Sequence, residues 1–193
     1  MTRLALLRHG HTAWNRAGQI QGRSDIPLDV EARAELAGYS LPEPWAEATL
    51  WSSPLSRAVE TAQLVAGRDP IGAEALTEMN WGDWEGKRGV DLIEQPGSGY
   101  RHIEDWGWDY RPPAGESPAE LWARLEPWLA ALRGDNLAVC HIGIMRVILA
   151  KAWGWGFDGP APFKVKRNRL FIVDLSPLRP VAEPVRLLKR QVP

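Results

Sequence analysis

Short, uninterrupted apolar runs alternate along this chain with segments whose apolar residues recur at helical spacing. A continuous run such as RLALL (3–7) suits a strand covered on both faces, because side chains on either side are then equally apolar. ATLWSS (48–53), NLAVCHIG (136–143), LFIVDL (170–175) and VRLLKR (185–190) read as further strands. Between them, DVEARAELAG (29–38) offers Asp29 to cap a helix and Gly38 to end it. In SPLSRAVETAQLVAG (53–67), Ser53 reads as the N-cap with Pro54 at the first helical position. ESPAEL opens another helix, with Ser117 and Glu120 as a capping-box pair. Its apolar face runs through Leu121, Leu125, Trp128, Leu129 and Leu132, and Pro127 is expected to kink it. IMRVILAKAWG (144–154) reads as a largely buried helix. This alternation predicts an α/β three-layer sandwich, a mostly parallel sheet flanked by helices. Segment 80–116, rich in Gly, Pro and Trp and without periodicity, reads as an irregular cap inserted into a single domain over 1–193.

Composition narrows the partners. The 193 residues carry 23 basic and 24 acidic side chains, a formal net charge of -1. That balance points to neither nucleic acid nor an anionic membrane surface. One cysteine, Cys140, excludes an internal disulfide and fits a reducing compartment. No apolar run approaches the roughly 18 residues of a membrane span. The apolar stretch near the start is too short for a signal-peptide core, so a cytoplasmic protein is expected. Nothing in the pattern sets an oligomeric state.

Two of these strands end in unusual chemistry. The first gives out at Arg8-His9-Gly10-His11, and VC (139–140) runs into His141. In parallel sheets ligands bind beyond the carboxyl ends of the strands, where both histidines would then fall. Arg57 lies in the first turn of its helix, where the dipole disfavours a cation unless an anion sits there too. Two guanidiniums and two imidazoles could surround one phosphate-sized group. Each residue alone reads more readily as a strand exit or a surface charge; their coincidence at element ends favours chemistry.

LLRHGHTAWN (6–15) resembles the signature of the histidine phosphatase superfamily, also called the phosphoglycerate mutase-like family. The resemblance continues, in order, through QIQGRSDIPLD (19–29), SSPLSRAVETA (52–62), LTEMNWGDWEG (76–86), PPAGES (112–117) and VCHIG (139–143). It implies that His9 is a nucleophile forming a phosphohistidine, with Arg8, Arg57 and His141 binding the phosphoryl group. Glu78 matches the proton donor, and Asn15, Gln21 and Gly22 match positions lining the substrate site. Independent chemistry asks for the same types. A nucleophilic imidazole must be neutral, phosphoryl transfer needs fixed positive charge, and an alkoxide leaving group needs an acid of raised pKa.

The resemblance implies a metal-independent phosphatase acting on a small-molecule phosphomonoester, with no cofactor. The four His and one Cys also lack metal-ligand spacing. A cofactor-dependent phosphoglycerate mutase is the first alternative. It usually has a longer insertion with more basic residues, and here segment 80–116 carries only Lys87, Arg88, Arg101 and Arg111. A non-catalytic phospho-ligand-binding module on the same fold is the second. Two positions depart from the pattern. His11 replaces a Glu or Gln and either touches substrate or caps the loop. Ile142 stands where a small residue is usual, narrowing the pocket while keeping its N–H for phosphate. His102 reads as a solvated cap residue. Trp81, Trp84, Trp106 and Trp108 could wall a substrate, but packing is the commoner use of tryptophan, and Trp122 and Trp128 read as a helix packing surface.

Overall fold

The computed structural model describes residues 1–181 and 183–190; residue 182 and 191–193, the tail of the expected domain, lie outside the described residues. Its strands are β1 (Arg3–Arg8), β2 (Tyr39–Ser40), β3 (Thr49–Ser52), β4 (Ile71–Gly72), β5 (Asp135–Cys140), β6 (Arg169–Leu175), β7 (Leu178–Pro180), β8 (Val185–Arg186) and β9 (Leu188–Lys189). Its helices are α1 (Ala13–Ala17), α2 (Val30–Ala37), α3 (Ser56–Ala66), α4 (Gly89–Glu94), α5 (Pro118–Ala131) and α6 (Ile142–Trp153). The main sheet has the order β4-β3-β5-β1-β6-β7, with β8 also on β6. Its first four strands are mutually parallel, and β6 joins β1 antiparallel.

The period-2 alternation of a strand divides β1 between two cores. Leu4 and Leu6 pack with Ala138 and Cys140 of β5 against Leu121 and Leu125 of α5 and Ile144 and Ile148 of α6. Ala5 and Leu7 pack with Leu137 and Val139 against Leu36 of α2 and Ala58 and Ala62 of α3. Leu4 to Leu7 are at most 1% exposed. The expected sandwich, with helices on both faces of a mostly parallel central sheet, is the observed fold.

Three local expectations need correction or refinement. α3 starts at Ser56, so Ser53 is not its N-cap and Pro54 precedes the helix. Leu55 occupies the cap position without a side-chain bond. Asp25, from a distant loop, accepts from Ser56 N at 2.9 Å and Ser56 Oγ at 2.7 Å instead. VRLLKR is two short strands: β8 pairs with β6, then the chain changes partner and β9 pairs with β2. α5 runs on through Pro127 to Ala131. Its capping box does form, with Ser117 Oγ accepting from Glu120 N and Glu120 Oε2 from Ser117 N. No helix among the described residues is long and apolar enough to cross a membrane.

Segment 80–116 is irregular apart from a 3-10 turn at Gly82–Trp84 and the six-residue α4. It is nevertheless part of the core. Trp84 and Trp106 are 1% and 5% exposed. Their indole N–H groups donate to Ser98 O and Arg101 O. Trp81, Trp84, Trp106 and Tyr100 form a continuous aromatic cluster with centroid separations of 5.1–6.4 Å. Trp84→Ala should therefore lower the free energy of global unfolding by about 3–5 kcal/mol, the usual cost of truncating a buried aromatic. Urea denaturation followed by circular dichroism measures it; a loss below about 1 kcal/mol would show that the segment packs independently of the core.

Candidate active site

β1, β3 and β5 point the same way, so Arg8, Ser52 and Cys140 reach one edge of the sheet together. The ladder carries on one step: His9 N donates to Cys140 O at 3.0 Å and Ser53 N to Val139 O at 3.1 Å. His9 and His141 thereby leave the sheet side by side, with ring centroids 5.1 Å apart. Eight of the nine residues singled out from the sequence line one cavity of about 190 Å3: Arg8, His9, Asn15, Gln21, Gly22, Arg57, Glu78 and Ile142. The ninth, His141, is fully buried beside His9.

The tautomer of His9 follows from its partner. Its Nδ1 lies 2.6 Å from Gly10 O, and a carbonyl can only accept, so Nδ1 carries the proton and Nε2 keeps its lone pair. Burial pushes the His9 pKa well below the usual imidazole value, and His141, Arg57, Arg8 and Arg167 push it further down. Burial, then Arg57 and Arg8, does the same to His141. Both rings are neutral at physiological pH, and a neutral imidazole is the nucleophilic form.

Around them sit polar atoms with no protein partner. Arg8 Nε, Arg57 Nε and His141 Nδ1 are buried and unbonded. Buried polar groups are ordinarily satisfied, and each one left bare costs about 1–3 kcal/mol. His141 Nε2 is 2.7 Å from Ser53 Oγ, so its Nδ1 is the nitrogen left over. The rest of Arg57 is held firmly: Nη1 donates to Ser24 O at 2.7 Å and Nη2 to Gly22 O at 2.8 Å.

Glu78 closes another side. It is 4% exposed, and burial raises its pKa against the opposing pull of the Met79 and Gly143 N–H groups, Arg57 and Arg8. Met79 N donates to Oε1 at 2.7 Å and Gly143 N to Oε2 at 3.1 Å. A Cβ on Gly143 would lie 2.4 Å from Glu78 Oε1, so the acid is seated against bare backbone. The same device recurs at Gly22, where φ is +52° and a Cβ would lie 1.9 Å from Glu85 Oε1. Glu85 there accepts from Arg23 N, Ser24 N and Ser24 Oγ, fixing the loop whose carbonyls hold Arg57.

Asn15 and Gln21 are already committed on one end. Asn15 Oδ1 accepts from Arg167 Nη2 at 2.8 Å and closes a capping box with Thr12. Gln21 Oε1 accepts from Thr12 Oγ1 at 2.7 Å. Their amide NH2 groups are what they can offer a ligand. Ile142 heads α6 on the cavity wall. His11 is not on that wall; its carbonyl accepts from Asp29 N at 3.0 Å, a backbone bond that does not involve the imidazole. His102 is exposed. Of the cap tryptophans, Trp81 lines the cavity, while Trp84 and Trp106 are packed inside and Trp108 lies under the Lys151 ammonium.

Two arginines escaped the sequence reading. Arg167 Nε donates to His9 O at 3.1 Å, tying the His9 backbone to the residues before β6. It lies in KVKRNRL, a basic run indistinguishable from a solvated loop. Arg146 also lines the cavity, and its signal was available: a lone arginine near the start of a helix that is otherwise apolar up to Lys151. Cys140 is buried and its thiol is raised far above the ordinary value, which leaves it inert.

Comparison with known proteins agrees with this geometry. The profile of the histidine phosphatase superfamily (branch 1) matches residues 4–185. A probable phosphoglycerate mutase of Escherichia coli is 35% identical over 138 residues, 69% of this chain and 64% of that protein's own length. A 2,3-bisphosphoglycerate-dependent phosphoglycerate mutase of Gloeothece citriformis is 28% identical, covering 80% of each chain. The crystal structure of a phosphoglycerate mutase from Thermus thermophilus superposes with a TM-score of 0.71 at 30% identity, over 98% of both chains. A mycobacterial glucosyl-3-phosphoglycerate phosphatase in complex with VO3 shares the fold, with a TM-score of 0.75, 23% identity and 97% coverage of both chains. The profile match over nearly the whole chain and the site at the strand ends lead to one conclusion: this chain is a member of the histidine phosphatase superfamily, branch 1.

Proposed function

We propose that this protein hydrolyses a small-molecule phosphomonoester, without a metal, through a phosphohistidine on His9. The observation that carries the reading is that Arg8 Nε, Arg57 Nε and His141 Nδ1 are buried and unpartnered on the residues that flank His9, whose Nε2 keeps its lone pair. Two guanidiniums beside the ring suit a phosphoryl group in transfer, where catalysis is chiefly positioning and fixed charge. His9 Nε2 attacks phosphorus, the P–O bond to the alcohol breaks, and the departing oxygen takes the proton of Glu78. Water then attacks the phosphohistidine and gives its proton to the Glu78 carboxylate. The P–N bond breaks, releasing inorganic phosphate, neutral His9 and a reprotonated acid.

The names of the relatives support a second reading, mutase activity. A mutase must hold an intermediate bearing two phosphoryl groups. None of Lys87, Arg88, Arg101 and Arg111 lines the cavity. Arg111 pairs with Glu120 at 2.8 Å, and Arg101 lies 4.3 Å over the Tyr110 ring. That placement favours hydrolysis. Phosphate release, against isomerisation of 3-phosphoglycerate supplied with 2,3-bisphosphoglycerate, separates the two.

Activity on p-nitrophenyl phosphate should survive EDTA; complete loss with rescue by a divalent cation would overturn the metal-free mechanism. His9→Ala should reduce turnover to background on every substrate, and retained turnover would remove His9 from the reaction. Glu78→Gln should cost about 10²–10⁴ on an alkyl phosphate, whose leaving group needs a proton. Phosphorylation of His9 by p-nitrophenyl phosphate, whose phenolate leaves unaided, should suffer much less, any remaining cost falling on dephosphorylation. Equal losses on both, with no phosphohistidine trapped in acid-quenched enzyme, would mean that Glu78 is not the acid.

A pH dependence follows from the same groups. Because His9 stays neutral well below the ordinary imidazole range, its protonation should not limit activity between pH 6 and 8. Glu78 must be protonated to act, and its pKa is raised by burial, so kcat/KM on an alkyl phosphate should fall as pH rises through that value. Comparison with Glu78→Gln isolates this limb from ionisation of the substrate: the variant should lack it, and an unchanged profile would assign the limb elsewhere.

A further inference from the structure

Glu78 sits in a stretch of backbone without regular structure of its own. A 3-10 turn, Glu74–Leu76, ends two residues before it, and the next opens at Gly82. Among the described residues no backbone N–H donates to the carbonyls of Ala75, Thr77 or Glu78. One side chain from α5 takes all three. Arg124 Nη1 donates to Ala75 O at 2.6 Å, and Nη2 donates to Thr77 O at 2.6 Å and to Glu78 O at 3.2 Å. Thr77 O and Glu78 O belong to the two peptide units that flank the Glu78 Cα, so one nitrogen holds both sides of the residue.

The guanidinium is itself fixed. Glu116 accepts from Arg124 Nε at 2.8 Å on one oxygen and from Nη2 at 3.2 Å on the other, a paired geometry that fits a planar fork and that an ammonium does not reproduce. The same carboxylate accepts from Asn80 N at 3.2 Å, and Glu116 N donates to Asn80 O at 2.8 Å. Arg124 and Glu116 thus grip the chain on both sides of Glu78, from Ala75 to Asn80. Arg23, next to the Gly22 carbonyl that holds Arg57, adds a longer bond to Glu78 O at 3.3 Å and an ion pair with Glu116 at 3.5 Å. Neither Arg124 nor Glu116 lines the cavity, so the clamp acts from outside it.

We propose that Arg124, held by Glu116, is a positioning residue for Glu78: it fixes the two peptides beside the acid and thereby the direction from which the carboxyl meets the leaving oxygen. The role rests on the reading of Glu78 as the proton donor. Of the two N–H groups on that carboxyl, Met79 N belongs to the adjoining residue and moves with it, so that bond cannot hold the segment against the rest of the fold. Arg124, anchored in α5, can. Placement matters steeply for such a group, since a displacement of about 1 Å caused by a remote change can cost on the order of 10²-fold in rate.

Dependence on the leaving group separates positioning from general support of the fold. The comparison is kcat/KM on glycerol 3-phosphate, whose alkoxide needs a proton, and on p-nitrophenyl phosphate, whose phenolate does not; kcat/KM covers the steps up to phosphorylation of His9 and leaves dephosphorylation out. Arg124→Gln should lower the first by about tenfold or more and the second by about threefold at most. Arg124→Lys should show the same selectivity with a smaller loss. It keeps the charge that, after burial, Arg57 and Arg8, lowers the His141 pKa, while giving up the fork. In Glu78→Gln protein, adding Arg124→Gln should change kcat/KM on glycerol 3-phosphate by about twofold at most, because no acid is left to misplace. Circular dichroism checks folding, and the Lys variant carries both comparisons if the Gln variant does not fold. Equal losses on the two substrates, no loss on glycerol 3-phosphate, or an undiminished Arg124 penalty in Glu78→Gln protein would overturn the proposal. Glu78→Gln alone lowering kcat/KM equally on both substrates is a different result, and removes Glu78 as the acid.

Discussion

The parallel pairing of β1 with β5 is the constraint on which the site depends. Arg8 stands opposite Cys140, and the next hydrogen bond, from His9 N to Cys140 O, carries the two histidines out of the sheet together. That register is held from both faces. Leu4 and Leu6 belong to the core under α5 and α6, Ala5 and Leu7 to the core under α2 and α3. A slip of one residue would exchange the two sets and draw Arg8 into the apolar interior. The geometry of the candidate site is thus a by-product of strand packing.

The electrostatics follow from burial more than from pairing. Arg8 and Arg57 sit beside two neutral imidazoles, and the nearby carboxylate, Glu78, is itself biased towards its protonated form. A stability-driven interior would pair those guanidiniums with carboxylates or replace them by apolar groups. Their unbonded nitrogens instead make the cavity a place where an anion gains several charge-assisted bonds at once. The low local dielectric makes each bond stronger and each bare donor more costly.

Backbone without side chains makes room for the acids. Gly143 and Gly22 are each positioned where a Cβ would strike a carboxylate, Glu78 in one case and Glu85 in the other. Glu78 gains a seat on the first turn of α6, and Glu85 gains the loop that holds Arg57. Trp81 brings the aromatic cluster of segment 80–116 to the cavity's edge, so the irregular insertion is structurally continuous with the site.

Much of this was legible in the order of residues. Strand and helix alternation is a local property of side-chain period, and the resemblance of LLRHGHTAWN and the segments after it named the residues that the fold gathers. Arg8, His9, Arg57 and Ile142 line the cavity because each lies at or next to the end of an element whose type could be read locally, whereas Asn15, Gln21, Gly22 and Glu78 were named by the resemblance alone. What local reading missed has a common cause. Ser53 had the composition of an N-cap but faces His141, and α3 is capped by Asp25 from another loop. VRLLKR is one apolar run but serves two sheets. Arg167 is one basic residue among several, and only the fold brings it to His9 O. Hydrogen-bond partners far apart in sequence, and the division of one run between two neighbours, are decided by tertiary packing. Periodicity reports which face of an element is apolar, but carries no information about what that face, or an isolated polar group, will meet.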